Sequence, residues 1–294
     1  MPWLLSVLLG LGWLLSTGIT AAASLRVESL SPQPGDVLTL TVTPDHGETL
    51  AGVTMSAFDT SVVKFYERPD GSRRAFVGFP FDRWAGKFLI KGTAHVRAPS
   101  GERDQPLSVS IQARSRVFPV QYVTMPPTQA QKMVQKGDLH AEKLQVQAAM
   151  KDSFPRPLWI GAWIVPAAGQ STSIYGRKRY VNGKWWGQHN GADIRAGIGT
   201  PVHACNAGRV VLSGYLPTLR GNCIVLDHGC NVFSVYMHLS KRLVAAGQSV
   251  AKGAVIGQVG ATGFVTGPHL HWEVRIGWEP VDPFRVAEHG LSFD

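Results

Sequence analysis

Cysteine is scarce in this sequence, which excludes several kinds of protein. The 294 residues contain 3 cysteines, Cys205, Cys223 and Cys230, all in the C-terminal half. So few cysteines exclude a disulfide-built scaffold, and an odd number permits at most one internal bridge with one thiol left over. Their spacing does not match a cysteine zinc site, so we expect structural or disulfide roles. Because no cysteine precedes Cys205, we expect no lipid anchor on a cysteine near the N-terminus.

Charged side chains are absent from the first 25 residues. A leucine-rich apolar run from Leu4 to Leu15 is followed by small residues that end in Ala21-Ala22-Ala23. An apolar run before an A-x-A-like site is typical of a secretory signal peptide. We therefore predict a signal peptide over residues 1–23 and a periplasmic or extracellular mature protein without a membrane span. An uncleaved N-terminal anchor is the alternative.

Acidic residues are outnumbered, with 20 Asp and Glu against 29 Lys and Arg, a net charge of +9. A positive surface attracts anionic partners over long distances. We find no nucleic-acid-binding motif and expect no nucleic-acid partner, so anionic polymers of the cell envelope fit the charge better. A generically basic exported protein, with no specific use of the charge, is the alternative.

The residue pattern predicts a mostly β protein with a short connecting helix. Leu38, Leu40 and Val42 alternate with threonines, which is typical of a half-buried strand. Several such short strands, separated by turn residues, predict an N-terminal Ig-like β-sandwich. The predicted boundaries are 24–124 for this accessory domain, 125–156 for a helical linker and 157–294 for a second β-rich domain with tight turns.

Histidine and aspartate cluster in three segments of the second β-rich region. These are His189-Asn190-Gly191-Ala192-Asp193, Tyr236-Met237-His238-Leu239 and Gly267-Pro268-His269-Leu270-His271. Glycines around the first segment favour a loop that leads into an extended stretch over a helix. The third segment leads into a strand pattern, and residues two apart on a strand point to the same side. His269 and His271 are therefore expected to project side by side.

These residue types are suited to a catalytic zinc site. A histidine and a carboxylate from one segment, with a histidine from a distant one, supply three ligands and leave a fourth position for water. Bound Zn²⁺ lowers the pKa of its water from 15.7 to roughly 7 and polarises a scissile carbonyl. Neighbouring imidazoles can accept the proton and assist the leaving amine, and His238 and His269 are the candidates. Each pair occurs by chance elsewhere, so the interpretation depends on all of them occurring together.

The same segments resemble those of the lysostaphin-type zinc metallopeptidases, also called LytM-type peptidoglycan endopeptidases. The similarity extends from roughly Ser173 to Phe284. Beyond the three histidine segments, it includes Gly199-Thr200-Pro201-Val202, Ala207-Gly208-Arg209-Val210-Val211, Asp227-His228-Gly229, Lys252-Gly253 and Val281-Asp282-Pro283. The resemblance implies a compact antiparallel β fold with a groove above one Zn²⁺ per chain.

The resemblance also implies roles for individual residues. His189, Asp193 and His271 correspond to the metal ligands of the family, and His238 and His269 correspond to its catalytic histidines. All five positions are filled here, whereas members that serve as activators of cell-wall amidases usually lack some of them. The expected activity is hydrolysis of peptide cross-links in peptidoglycan, which is the expected partner.

The segment from Arg177 to Gly187 would form one wall of the groove. Its aromatic residues Tyr180, Trp185 and Trp186 are candidate substrate-binding residues, and local packing is the alternative. Two other functions stay open at this point. One is a non-catalytic wall-binding regulator of an amidase, and the other is a zinc peptidase that acts on a protein.

Overall fold

The computed structural model describes residues 22–58, 61–124 and 136–293. The predicted signal peptide, apart from Ala22 and Ala23, lies outside the described residues. Within these ranges, no helix is both long enough and apolar enough to cross a membrane. Strands dominate the secondary structure, so the prediction of a mostly β protein is confirmed.

The N-terminal region consists of two four-stranded antiparallel sheets that share one core. The first sheet has the order β1-β2-β6-β5, with β1 (Ser24–Glu28), β2 (Val37–Thr43), β5 (Tyr66–Glu67) and β6 (Arg73–Gly78). The second has the order β4-β3-β7-β8, with β3 (Thr49–Ala57), β4 (Ser61–Val62), β7 (Gly86–Ala98) and β8 (Gly101–Ala113). Leu38, Leu40 and Val42 are fully buried and belong to the same apolar cluster as Ile90 and Ile111 of the second sheet. The Ig-like topology stays a prediction.

The largest sheet lies in the C-terminal region and is antiparallel throughout. Its order is β10-β13-β21-β17-β16-β15-β19, with β22 paired to β21. The strands are β10 (Gln170–Ser173), β13 (Ala192–Arg195), β15 (Gly208–Leu216), β16 (Gly221–Gly229), β17 (Val232–Leu239), β19 (Ser249–Val250), β21 (Leu270–Ile276) and β22 (Glu279–Val281). Trp272, Tyr236 and Leu226 are fully buried in its core.

Two smaller sheets and a short helix complete this region. The strands β14 (Pro201–His203), β18 (Lys241–Arg242) and β20 (Val255–Gln258) form one sheet in the order β14-β20-β18. The other contains β9 (Val120–Val123), β11 (Lys178–Val181) and β12 (Lys184–Gln188) in the order β12-β11-β9, with β9 parallel to β11. Asp282 caps the last helix, α2 (Pro283–His289), by accepting a hydrogen bond from the backbone of Phe284.

The helix α1 (Lys136–Ala149) packs against the large sheet. Val146 and Met150 are buried against Val225 and Val235 of that sheet. On the same helix, the Glu142 carboxylate accepts hydrogen bonds from the backbone amides of residues 218 and 219 and from the Arg220 guanidinium. The helix therefore holds the loop between β15 and β16 in place.

All three cysteines are buried and none is bonded to another. Burial raises the pKa of the Cys223 and Cys230 thiols to about 12, so both stay protonated. Cys205 and Cys230 lie in the large apolar cluster of the C-terminal region, and Cys223 lies beneath α1. Their contribution is to packing, so of the structural and disulfide roles expected from the sequence, the structure shows the structural one.

Candidate functional site

Strand register places two of the predicted ligands next to each other. In the pairing of β13 with β21, Asp193 lies directly opposite His271, so both side chains point to the same side of the sheet. Gly191 permits this close approach, because a Cβ at that position would lie 2.2 Å from the backbone oxygen of Trp272. The loop between β12 and β13 then brings His189 to the same point. The expectation of a loop leading into an extended stretch is met at these residues.

His189, Asp193 and His271 form a compact triangle of ligand atoms. The Asp193 Oδ1 atom lies 2.9 Å from His189 Nε2 and 2.8 Å from His271 Nδ1. The two nitrogens are 2.9 Å apart, and all three side chains are buried. Two imidazole nitrogens and one carboxylate oxygen form a donor set that suits Zn²⁺. These residues can therefore hold a metal ion.

Hydrogen bonds on the outer side of each histidine fix which nitrogen faces the triangle. His189 Nδ1 lies 3.0 Å from the Ile174 carbonyl oxygen, and His271 Nε2 lies 3.0 Å from Glu273 Oε1. Both partners can only accept, so these nitrogens donate and the opposite nitrogens are left to bind a cation. Glu273 is itself held by Arg275, whose Nε donates to Oε2 at 2.5 Å.

The charges of the triangle are tightly coupled. Burial opposes the charged form of His271, but its hydrogen bonds to Asp193 and Glu273 outweigh this effect and raise its pKa to about 9. Burial alone would raise the pKa of Asp193, but the two neighbouring histidines hold it well below its ordinary value. Burial lowers the pKa of His189 to about 4. Without a cation, a proton on His271 therefore balances the Asp193 carboxylate.

The two predicted catalytic histidines border the triangle. The ring centroids of His238 and His269 are 4.9 Å apart, and His269 Nε2 lies 3.8 Å from Asp193 Oδ1. His238 Nδ1 donates to the Thr262 carbonyl at 3.0 Å, and His269 Nδ1 donates to the Gly267 carbonyl at 2.8 Å. Each ring thus keeps Nε2 as a proton acceptor. Burial lowers the pKa of His238 to about 3, and it also lowers that of His269, so both are neutral near pH 7.

His238 also has an unusual backbone conformation. Its φ of 64° lies in the left-handed region that non-glycine residues rarely adopt. Its backbone amide donates to the Arg220 carbonyl at 2.9 Å, which holds the residue in this conformation at the end of β17. Such strain is concentrated at functional sites, where the surrounding structure imposes it.

A groove of about 650 Å³ opens above the triangle. Trp186 lines it and lies near Phe264, with ring centroids 6.2 Å apart. Tyr180 and Trp185 are not among the side chains that line the groove in the described part of the chain. They pack against each other, with centroids 5.4 Å apart, and Tyr180 stacks on Tyr122 of β9. Substrate binding by these three aromatic residues stays a prediction.

Sequence reasoning missed three residues that contact the ligands. Glu273 supports His271, Arg179 Nη2 donates to Asp193 Oδ2 at 2.6 Å, and Ser173 Oγ lies 3.2 Å from His189 Nδ1. Strand alternation from His271 could have revealed Glu273, because residues two apart share a side. Arg179 and Ser173 have no such signal, since their proximity depends on how separate strands pair.

Comparison with known proteins agrees with this geometry. The model of peptidase family M23 matches residues 187–283. Peptidoglycan DD-endopeptidase ShyA of Vibrio cholerae is 45% identical over 98 residues, a match that covers 33% of this chain and 23% of that protein. The chain thus spans less than a quarter of the length of this curated relative.

Two solved structures extend the comparison. A Pseudomonas aeruginosa protein assigned to peptidase M23 is 26% identical with a TM-score of 0.60, and the match covers 87% of this chain and 94% of that one. The catalytic domain of lysostaphin from Staphylococcus simulans is 34% identical with a TM-score of 0.38, and the match covers 41% of this chain and 92% of that domain. Residues 187–283, which include the whole ligand triangle, therefore form a peptidase family M23 domain.

Proposed function

We propose that this protein is an exported zinc endopeptidase that hydrolyses peptide cross-links of bacterial peptidoglycan. The observation that carries the proposal is the triangle of His189, Asp193 and His271 beside two neutral histidines at the floor of an open groove. Three ligands with room for water are the mark of a catalytic zinc site, whereas structural sites are closed by a fourth protein ligand.

Each residue has a defined role in this proposal. His189, Asp193 and His271 would hold the ion through the atoms that face one another. When bound, Zn²⁺ supplies a Lewis acid and lowers the pKa of a coordinated water. His269 accepts a proton through Nε2, because this atom is directed toward the ligands and its ring is neutral. His238 supplies a second imidazole for proton transfer to the leaving amine or for hydrogen bonding to the oxyanion.

The groove and the charge support peptidoglycan as the substrate. The relative ShyA is named a peptidoglycan DD-endopeptidase, which favours a bond between D-amino acids as the point of cleavage. Peptidoglycan carries carboxylates, and a net charge of +9 draws the protein toward such a polymer. Trp186 and Phe264 offer apolar surface against which a peptide stem can pack. Peptidoglycan lies outside the cytoplasm, in keeping with the predicted signal peptide.

Digestion of purified peptidoglycan tests the proposal. We expect the mature chain, starting after Ala23, to contain about one Zn²⁺ and to release muropeptides whose masses identify the bond that is cut. His269→Ala is expected to lower the rate by about 10²- to 10⁴-fold, because general acid–base catalysis contributes that much. The variant should still bind Zn²⁺, since His269 is not one of the ligands.

His203→Ala is the matched control, because His203 donates to the Gly253 carbonyl in the same domain and does not line the groove among the described residues. It should digest peptidoglycan at the wild-type rate. Undiminished digestion by His269→Ala would refute the proton-transfer role. Activation of an amidase by His271→Ala, together with no digestion by the wild type, would favour a regulatory protein.

A further inference from the structure

Arg179 connects a metal ligand to the N-terminal part of the chain. Its Nη2 atom donates to Asp193 Oδ2 at 2.6 Å and to Ser173 Oγ at 2.9 Å. Its Nε donates to the Gln121 side-chain oxygen at 3.3 Å. Gln121 lies on β9 in the segment that precedes α1, and it is directly opposite Arg179 in the strand pairing. One guanidinium therefore contacts three groups from three separate segments.

The contact leaves the two oxygens of Asp193 with different partners. Oδ1 lies within 2.9 Å of both ligand histidines, and Oδ2 is bonded to Arg179. A carboxylate held by one oxygen cannot rotate to offer both oxygens to a cation. Arg179 thus fixes the orientation of Asp193, as Glu273 fixes that of His271 and the Ile174 carbonyl fixes that of His189.

The position of Arg179 depends on β9. β11 is the central strand of its sheet, and β9 pairs with it along its whole length, from Lys178 opposite Val120 to Val181 opposite Val123. Two further backbone hydrogen bonds of 2.9 Å, from Lys178 to Pro119 and from Asn182 to Val123, extend this contact at both ends. A two-stranded hairpin by itself is marginally stable in water. Without β9, the β11–β12 hairpin would lose the strand that fixes Arg179.

We propose that Arg179 is a positioning residue for the Asp193 ligand, and that Gln121 makes this positioning depend on the segment before α1. The inference rests on the proposed metal site. It assigns to the N-terminal part of the chain a role in metal binding, in addition to any role in recognition of the substrate.

Metal affinity tests this proposal in the full mature chain. Zn²⁺ is titrated into metal-free protein against a chromophoric chelator, and the visible spectrum of the Co²⁺ form reports the coordination. Arg179→Ala is expected to weaken Zn²⁺ binding by about 10- to 100-fold, as is typical when a partner of a ligand is lost. The Co²⁺ spectrum should change as well, because Asp193 is free to rotate. Arg179→Lys should recover little, since an ammonium group cannot reproduce the planar fork.

Gln121→Ala is the second variant, and it keeps the proposal testable if Arg179→Ala fails to fold. It should weaken Zn²⁺ binding by about 3- to 10-fold, equivalent to the loss of one hydrogen bond. Val120→Ala is the matched control on the same strand, because that side chain is exposed and lies opposite Lys178 rather than Arg179. It should retain the wild-type affinity and spectrum.

The outcomes separate this proposal from the proposed function. Wild-type Zn²⁺ affinity and an unchanged Co²⁺ spectrum in Arg179→Ala or Gln121→Ala would overturn the positioning role, even if the enzyme digests peptidoglycan. In another outcome, the wild-type protein binds Zn²⁺ but does not digest peptidoglycan, and the two variants bind Zn²⁺ more weakly than the wild type. That outcome would support the positioning role and refute the proposed function. A wild-type chain that binds no Zn²⁺ would overturn both.

Discussion

At the scale of single residues, the three proposed ligands differ in whether each carries a proton before a cation binds. Asp193 is ionised because its two neighbouring histidines stabilise the charge, and His189 is neutral because it is buried. His271 keeps its proton up to a pKa of about 9, since hydrogen bonds to two carboxylates outweigh the effect of burial. Cation binding must therefore displace one proton, and that proton comes from His271.

We predict that Zn²⁺ binding at pH 7.5 releases about one proton and that the apparent affinity rises about tenfold per pH unit below pH 9. The sign follows from the pKa of His271, because below it the ligand nitrogen competes with a proton. Calorimetric titrations in two buffers of different ionisation enthalpy measure the number of protons released. Glu273→Gln should lower that number, because it removes one carboxylate that raises the pKa. Affinity that is independent of pH between 6 and 8 would contradict the prediction.

At the scale of strands, the site depends on how closely β13 approaches β21. Gly191 lies just before β13, at a point where even a methyl group would meet the Trp272 carbonyl and the Glu273 side chain. The register that pairs Asp193 with His271 begins at the next residue, Ala192, which pairs with Trp272. A small displacement here would separate the two ligands.

Gly191→Ala is therefore expected to lower the free energy of unfolding by about 1–3 kcal/mol, the usual effect of overpacking, and to weaken metal binding as well. Gly214→Ala is the control, because a Cβ there would meet only the Leu212 side chain at 4.0 Å. Urea unfolding monitored by circular dichroism gives the stability, and chelator competition gives the affinity. Equal stability and metal affinity in the two variants would show that the approach of the strands is not limiting.

Strand geometry also explains which residues of the site could be predicted from the sequence. Spacing of two residues predicts the shared orientation of His269 and His271, and both border the same groove, although β21 begins only at Leu270. The clustering of histidine and aspartate in three segments made His189, Asp193 and His238 candidates, and the resemblance to a known family assigned their individual roles. Arg179 could not be found this way, because it meets Gln121 only through a parallel pairing between strands 58 residues apart. Periodicity describes one strand at a time, whereas partners across strands depend on the topology of the whole sheet.

At the scale of the whole molecule, the N-terminal and C-terminal regions are joined by charged and aromatic contacts. Arg116 donates to Asp282 at 2.6 Å, and Arg285 pairs with Asp36 at 2.5 Å. Asp282 also caps α2, so this ion pair connects the two regions at the start of the last helix. Phe76 of the first sheet packs against Trp159, with ring centroids 5.7 Å apart. The position of β9 beside the groove is thus supported by an interface that extends well beyond β9 itself.

Glu279 makes this interface sensitive to pH. Its side chain lies against β6, since a Cβ at Gly78 would meet Glu279 Cγ at 3.0 Å. Burial raises its pKa to about 7, although Arg275 partly opposes the shift. Between the ordinary glutamate pKa of 4.5 and about 7, the folded chain therefore keeps a proton that the unfolded chain has released. Because the folded state then binds more protons, stability falls as the pH rises through this window.

The glutamine side chain in Glu279→Gln is neutral at every pH, so the variant should not lose stability as the pH rises through this window. We expect the variant to match the wild type at pH 4 and to exceed it by about 3 kcal/mol in the free energy of unfolding at pH 8. Urea unfolding at pH 4, 6 and 8 measures the difference, with the exposed Glu288→Gln as the control that should follow the wild type. A variant that is less stable than the wild type at pH 8 would mean that the ionised carboxylate is favourably paired. In that case Arg275, and not burial, would control the charge at this interface.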